Sequence, residues 1–478
     1  MPLPILPNGS SNWQRRMIDF NTIENLYFLG IGGIGMSALA RYARIMGKNV
    51  AGYDRVETPL TRQLESEGIT IHYKEDINQL PALFTCNNTL VVRTPAVPDS
   101  HLELRHLAEN GYTLVKRSEL LGFLTRERKC IAVAGTHGKT SVSTMTAFLL
   151  RESGMSPGAF LGGISNNFAS NLLIPGSADA WTVTEADEFD RSFLHLSPSL
   201  AVITSADPDH LDVYGDHASV LDAFNCFAGR VRDGGILLMK SEVQGVFPPS
   251  GRVLYRYSIK SEADFYAGNI RIESERYRFD FHAPGLIIRD VVMEYPGRLN
   301  VENMVAALSV ALLAGADPVN LKRAVPLYRG VERRFDIRYR DDRRVYIDDY
   351  AHHPEELKAT ILAVKELFPR KKVLGIFQPH LFTRTRDFAD GFAASLDLLD
   401  ETFLLDIYPA REQPIEGVTS ELILSKMKSP LKRRVSFQSV TNELLRTPFD
   451  VLLTLGAGNI DGLVEPICIL LNQQTTKR

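Results

Sequence analysis

Residues 133–143 read VAGTHGKTSVS, the end of an apolar run that passes through Gly135 into Gly138-Lys139-Thr140. A strand that enters such a turn and leaves it as a helix offers backbone N–H groups and a helix N-terminus to an anion. Lys139 suits a β- or γ-phosphate and Thr140 a phosphate-bound Mg2+, while Gly135 and Gly138 let the backbone curl round the anion. Thr136, His137 and Ser141 complete the loop. The first glycine of the usual G-x-x-x-x-G-K-[ST] pattern is replaced by Val133, so the loop is a variant. Outward from it, KCIAVAG reads as the strand and KTSVSTMTAFLLRESG as the helix.

A second loop, FLGIGGIGMSALA, occupies residues 28–40. Gly30-x-Gly32-x-x-Gly35 also lies between a strand and a helix, and Asp54 closes the next strand, nineteen residues after Gly35. The spacing fits a dinucleotide fingerprint and fits another diphosphate, such as a UDP-sugar, as well. Both loops in one chain argue against a plain dehydrogenase, because hydride transfer has no use for ATP. One loop is expected to grip an energy source and the other a phosphate-bearing substrate.

A chain of 478 residues exceeds what one core accommodates, roughly 250–300 residues. Short strands alternate with helical stretches, the pattern of α/β domains, and three are expected: residues 1–117, Rossmann-like; 118–324, holding the Gly-Lys-Thr loop; and 325–478, a third α/β set. Residues 258–295 alternate polar and apolar and read as an antiparallel insertion, followed by a helix at NVENMVAALSVALLAGA. The strands AWTVTEAD and SLAVITSADPDH end in acidic or His residues, which places polar groups at the sheet edge where open α/β sheets bind ligands.

A net charge of −3 gives no overall attraction to nucleic acid or to an anionic membrane. Four scattered cysteines with no C-x-x-C pair indicate neither a zinc knuckle nor a disulfide framework. No apolar run approaches the ~18 residues of a membrane span, and MPLPILPNGSSNWQRR lacks a signal-peptide core. A cytoplasmic protein is expected.

Taken in order, GIGGIGMSA, GTHGKTS, TEADEFDRSFLHL, DPDHLDVYG, GRLNVEN, RRFD, DDYAHHP, FQPHLFTRTRD and GAGNI resemble the Mur ligase family from about residue 25 to the end. The resemblance implies three domains: a Rossmann-like UDP-binding domain, a central P-loop ATPase-like domain and a closing C-terminal α/β domain. It implies ATP-dependent joining of L-alanine to the lactyl carboxylate of UDP-N-acetylmuramate, through an acyl phosphate, for peptidoglycan precursor synthesis. The alternative is the recycling ligase that attaches a peptide to the same UDP-sugar, whose first loop usually carries a Cys and bulkier residues. The cofactors implied are ATP and Mg2+; a monomer or weak homodimer is expected.

The resemblance also implies roles for single residues. Glu185 is similar to the family's magnesium-binding Glu, although a solvated acidic turn over Glu185, Asp187, Glu188 and Asp190 would read alike. His210 on its residues alone reads as a capping or core histidine, since Mg2+ prefers oxygen; by resemblance it stands at a second magnesium. Ser205 and Asp207 stand where the family often has Asn and Glu. Asn300 and Asn303, three apart on one helix face, are implied beside the adenine. Arg334 and Asp349 are implied to reach the nucleotide from the closing domain. Gly32, Gly33, Ile34, Gly35 and Met36 form the implied UDP loop, with Asp54 and Thr94 as further contacts; Thr-Pro-Ala at Thr94 replaces a common Ser-Ser-Ala. His352, His380, Arg384 and Arg386 are implied to face the sugar carboxylate and the amino acid. Arg can grip a carboxylate with two parallel hydrogen bonds, and the sequence leaves open which of the two does so.

Overall fold

The computed structural model describes residue 20 and residues 22–208, 211–410 and 412–476. The chain forms two compact units that meet in sequence between Leu124 and Thr125.

The first unit is built on five parallel strands: β1 (Asn25–Leu29), β2 (Asn49–Tyr53), β3 (Thr70–His72), β4 (Thr89–Arg93) and β5 (Thr113–Lys116), in the order β3-β2-β1-β4-β5. Every residue of β1 is buried, as a central parallel strand covered on both faces requires. The chain leaves β1 toward β2 on one side and returns to β4 on the other, so a crevice opens at the C-terminal end of β1, where the Gly30–Gly35 turn lies. The helix Ile34–Ile45 starts from that turn and buries Ser37, Ala38 and Ala40, small side chains that allow it close to the sheet.

The second unit contains two sheets. The larger comprises β6 (Lys129–Ala134), β7 (Gly158–Ser165), β8 (Ser170–Leu173), β9 (Trp181–Glu185), β10 (Leu200–Ile203), β11 (Ile236–Lys240), β12 (Val253–Ser258), β13 (Phe265–Glu273), β14 (Arg276–Ala283) and β15 (Leu286–Met293). Its order is β15-β14-β13-β12-β11-β10-β6-β9-β7-β8. The meander β13–β15 accounts for the alternation over residues 258–295, but Tyr257 pairs in parallel with Phe265. These strands therefore extend the large sheet instead of standing apart as an insertion. Against β11–β14 of this sheet packs the helix Arg298–Leu313, buried continuously from Val301 to Ala311; a helix apolar on all sides belongs inside a core.

The third sheet comprises β16 (Asp336–Arg340), β17 (Val345–Asp349), β18 (Val373–Phe377), β19 (Glu401–Leu404), β20 (Lys432–Arg434) and β21 (Val451–Leu455), in the order β16-β17-β21-β18-β19-β20, with β16 antiparallel at the edge. The helix Pro354–Leu367 links β17 to β18. One continuous apolar core joins the two sheets of this unit, including Phe148, Val305, Tyr328, Phe335 and Ile361. Tyr277 and Arg298 both bond Glu366 of the linking helix, at 2.6 and 2.8 Å. Among the described residues no helix is long and apolar enough to cross a membrane.

Candidate active site

β6 runs between β9 and β10, in register Val133↔Glu185 and Ala134↔Ile203, so the three C-terminal ends deliver Gly135, Glu185 and Thr204 to one place. Gly135 has φ +141, and a β-carbon on it would stand 2.0 Å from Thr204 Oγ1; only glycine fits there. Gly138, at φ +82, caps the helix Lys139–Glu152. Ser205 fastens the turn: its Oγ accepts the His137 N–H at 2.8 Å and pairs with the Thr136 hydroxyl at 2.8 Å.

Lys139 Nζ donates to the Gly135 carbonyl at 2.8 Å and to both oxygens of Glu188 at 2.8 and 2.7 Å. Burial works against its charge, but Glu188 and the carboxylates of Asp187 and Glu185 hold its pKa above the ordinary lysine value. Thr140 Oγ1 donates to Glu185 Oε2 at 2.8 Å. Burial pushes the Glu185 pKa up, against the pull of Lys139. A hydroxyl and a carboxylate side by side are the oxygen donors that Mg2+ takes when substrate phosphates complete its shell, so Thr140 and Glu185 fit that ion. Among the described residues no three His, Cys, Asp or Glu side chains cluster as a metal site. His210 lies outside the described residues.

The loop that carries Lys139 and Thr140 borders, through its residues on either side of them, a cavity of about 500 Å3, the size of a nucleotide pocket. His137, Gly138 and Ser141 line one part of it, Asn300 and Asn303 another, and Arg334, Asp349 and Glu356 enter from the third sheet and its first helix. Asn303 Nδ2 donates to Asn300 Oδ1 at 3.4 Å, and a β-carbon at Gly138 would lie 3.0 Å from Asn303 Oδ1, so the two amides do share the face that meets the loop. Arg334 is flanked by Arg333 and Phe335, both at positive φ (60° and 45°), a costly backbone for side-chain-bearing residues. Its carbonyl accepts the Tyr295 hydroxyl and its guanidinium stacks 5.1 Å from the Tyr350 ring centre. Asp349 lines the cavity, yet its oxygens already accept the Phe335 and Ala351 N–H groups, each at 2.8 Å. Burial raises its pKa to about 6 against the pull of Arg334.

Glu356 was not singled out by the sequence. It sits in the first turn of the helix Pro354–Leu367 and accepts the backbone N–H groups of His352 and His353 at 3.0 and 3.3 Å, a capping contact. Burial alone would raise its pKa, but His352 and Arg334 outweigh it and hold Glu356 at about 2. His352 Nδ1 lies 3.0 Å from the Tyr350 carbonyl, which fixes Nδ1 as the protonated nitrogen and Nε2 as an acceptor. Burial lowers the His352 pKa although Glu356 opposes it. His380 lies 6.2 Å from His352, ring to ring, stacks on Tyr408 and approaches Arg384 Nη1 at 3.5 Å. Arg386, exposed, pairs with Asp387 at 2.7 Å and stands outside this group. The third-sheet residues thus divide into His352, His380 and Arg384 together, and Arg386 apart.

In the first unit, Asp54 Oδ2 accepts the Gly32 N–H at 2.8 Å, and a β-carbon on Gly32 would come within 2.7 Å of Thr61 Cγ2. Thr94 packs on Gly30, where a β-carbon would lie 2.5 Å from its Cγ2. Gly33 is exposed at the turn, Ile34 and Gly35 are half-buried, and Met36 is buried beneath them. Arg117, which the sequence did not mark, lies against Gly35, 3.0 Å from a β-carbon there, and puts a guanidinium beside the turn.

Three family models tile the chain: Mur ligase family, catalytic domain, over residues 25–129; Mur ligase middle domain, over 133–311; and Mur ligase, glutamate ligase domain, over 333–458. UDP-N-acetylmuramate–L-alanine ligase of Parabacteroides distasonis is 48% identical over 463 residues, 96% of this chain and 100% of its own. The enzyme of that name from Cytophaga hutchinsonii is 46% identical over 95% of this chain and 98% of its own. The crystal structure of UDP-N-acetylmuramate-alanine ligase from Thermotoga maritima superposes with a TM-score of 0.80 at 26% identity, covering 95% of this chain and 100% of that one. A murein peptide ligase from Psychrobacter arcticus shares the fold, with a TM-score of 0.67 at 23% identity over 94% and 98% of the two chains. The models cover a glycine turn, a lysine-bearing loop and an arginine-bearing third sheet in the order found here, and with relatives nearly half identical along almost its whole length this chain belongs to the Mur ligase family.

Proposed function

We propose that this protein joins L-alanine to the lactyl carboxylate of UDP-N-acetylmuramate, converting ATP to ADP and phosphate and yielding UDP-N-acetylmuramoyl-L-alanine for peptidoglycan synthesis. The observation that carries the reading is the pairing of Lys139 and Thr140 with Glu188 and Glu185 in a loop whose His137, Gly138 and Ser141 line a nucleotide-sized cavity, in a chain whose relatives bear that enzyme's name. A carboxylate resists attack because its charge repels an amine and its oxygen leaves badly. A carboxylate oxygen attacks the γ-phosphorus, ADP leaves, and an acyl phosphate remains. The uncharged amine of alanine then adds to the acyl carbon, and phosphate departs as the amide forms.

Each part of the chain has a task in this scheme. Residues 1–117 hold the UDP end through the Gly32–Met36 turn, Asp54 and Thr94. Residues 118–324 hold ATP: Gly135 to Ser141 wrap the phosphates, Lys139 neutralises the transferred group, and Asn300 and Asn303 border the nucleoside. Thr140, Glu185 and His210 hold Mg2+, which offsets phosphate charge when bound. Residues 325–478 contribute Arg334 to the developing charge and Asp349 as the brace for that arm. His352, with Nε2 unprotonated, accepts a proton from the alanine ammonium, while His380 and Arg384 hold carboxylates. The protein acts in the cytoplasm as a monomer or weak homodimer.

The test is phosphate release from Mg·ATP with UDP-N-acetylmuramate, comparing L-alanine, glycine, a peptide beginning L-Ala-γ-D-Glu and no amine. Release that requires both the sugar and free alanine is expected. Peptide-only turnover makes it the recycling ligase, and release indifferent to the sugar reduces it to an ATPase.

A further inference from the structure

Arg334 reaches the cavity from a stretch that belongs to neither helix nor strand: residues 328–335 lie between the helical turn Val325–Leu327 and β16. The positive φ angles on either side of Arg334 persist only where the surroundings fix them. Those surroundings include the end of β7 and the turn that joins it to β8. Glu332 donates its N–H to the Ile164 carbonyl at 2.9 Å, Ser165 and Val331 form an antiparallel bridge, and Asn166 donates its N–H to the Gly330 carbonyl at 3.0 Å.

Two side chains of the turn extend this ladder. Asn166 Nδ2 donates to the Arg329 carbonyl at 3.2 Å and to Asp336 Oδ1 at 3.1 Å. Asn167 Nδ2 donates to the Leu327 carbonyl at 2.9 Å, and its Oδ1 accepts the Arg329 N–H at 2.8 Å. A side-chain amide that gives one bond and takes another copies the pairing of a backbone strand. Residues 327–336 are thereby held from one end to the other.

β7 is itself fixed to the reacting end of the site. A β-carbon on Gly162 would stand 1.9 Å from Glu185 Oε2, and one on Gly163 would stand 2.6 Å from Val331 Cγ1. Consecutive residues of one strand thus meet the carboxylate bonded to Thr140 and the segment that carries Arg334. Phe168, in the turn, packs on Phe148 of the helix Lys139–Glu152, ring centres 6.3 Å apart. The turn therefore shares a frame with Lys139 as well.

We propose that Asn166 and Asn167 brace residues 327–336 and so position Arg334 against Glu185 and Lys139 for phosphoryl transfer. They are positioning residues, acting through the backbone of Arg329 and the carboxylate of Asp336. The inference rests on the reading that Arg334 meets the charge developing on the transferred group.

The test measures ligation, calorimetric ADP binding and amide hydrogen exchange over residues 327–336. It uses full-length wild type, Asn166→Ala, Asn167→Ala, Arg334→Ala and each asparagine variant combined with Arg334→Ala. Each asparagine variant is expected to lose about 10- to 100-fold in kcat, the scale of a misplaced group. KM for ATP and ADP affinity should stay near wild type, and the Glu332 and Arg334 N–H groups should exchange faster. Neither substitution should lower kcat further in Arg334→Ala protein, because the group they position is already gone; a general loosening of the fold would lower it in both backgrounds. Losses that add to that of Arg334→Ala, or wild-type kcat in both asparagine variants, overturn the proposal. Should the alanine variants fail to fold, Asn166→Asp and Asn166→Asp/Asp336→Asn decide. The first sets a second carboxylate against Asp336, the second restores a donor across the same gap, and a kcat that does not recover overturns the proposal. If the wild type does not ligate, or Arg334→Ala ligates as well as wild type, the reading of the site fails on its own. Hydrogen exchange then judges the brace, and unchanged rates in both asparagine variants overturn it.

Discussion

In the turn Gly30–Gly35 the Gly32 N–H is tied to Asp54 and Arg117 lies against Gly35; in the turn Gly135–Thr140, Lys139 is locked to Glu188 and Thr140 to Glu185. Both turns connect a buried parallel strand to a helix, and both need glycine where a β-carbon would collide. The first carries no ionisable side chain of its own; the second carries a cation and a hydroxyl, each already held by a carboxylate. Glycine spacing therefore reports how closely a backbone can approach an anion. What becomes of that anion is decided by the side chains inside the turn and on the strands alongside.

The sharpest way to break this contrast is Lys139→Ala. Ligation is expected to fall by at least 10²- to 10³-fold, as for removal of a group that stabilises transition-state charge, while calorimetry finds UDP-N-acetylmuramate binding nearly intact. Loss of both would mean that the two turns do not divide the work.

Glu188→Ala comes next. Lys139 and Glu188 are 14% and 1% exposed, and breaking a buried pair costs roughly 3–5 kcal/mol. Urea unfolding of the ligand-free protein should show a loss of that order, partly recovered with Mg·ADP, because phosphate replaces the missing anion. An equal loss with and without nucleotide would show that Glu188 is not a stand-in for phosphate.

Glu356 gives a pH signature. Its folded pKa of about 2 lies below the ordinary 4.5, so its stabilisation is complete above pH 4.5 and is lost as pH falls through that window toward 2. The difference is on the order of 3 kcal/mol. Glu356→Gln should be less stable at pH 7 by about that amount and should show a flatter acid limb. Asp349 has the opposite sign: with a pKa raised from 3.8 to about 6, it favours the fold below pH 3.8 and loses that contribution as pH rises through 6. An acid limb unchanged in Glu356→Gln would remove the Arg334–Glu356–His352 linkage from the account.

Asp54→Ala should cost about 1.5–3 kcal/mol, the value of one hydrogen bond donated to a charged acceptor, and raise KM for the UDP-sugar without altering that for ATP. A change in the ATP constant would blur the contrast between the turns. The smallest effect separates the two arginines: Arg386→Ala should leave the KM for alanine and the UDP-sugar near wild type, whereas Arg384→Ala should raise one of them.

The local parts of this site were legible because their signals are local. A strand running into GTHGKT or GIGGIG announces its turn, and Asn300 and Asn303 share a face by helical spacing alone. Glu188, Glu302 and Glu356 were not, since each looks like a solvated or capping acid until folding brings a partner 49, 62 or 4 residues away. Lys240, the last residue of β11, and Arg117, just after β5, likewise have no motif around them. The alternation of residues 258–295 was readable, but its parallel pairing to β12 was not, because period two says which face is covered and nothing about the neighbouring strand.

The most direct measurement follows an atom. With oxygen-18 in both lactyl carboxylate oxygens of UDP-N-acetylmuramate, turnover with Mg·ATP and L-alanine should place one labelled oxygen in each released phosphate and leave the other in the amide. Unlabelled phosphate alongside amide formation would mean that the carboxylate is never phosphorylated, and that the Lys139 loop serves some purpose other than activating it.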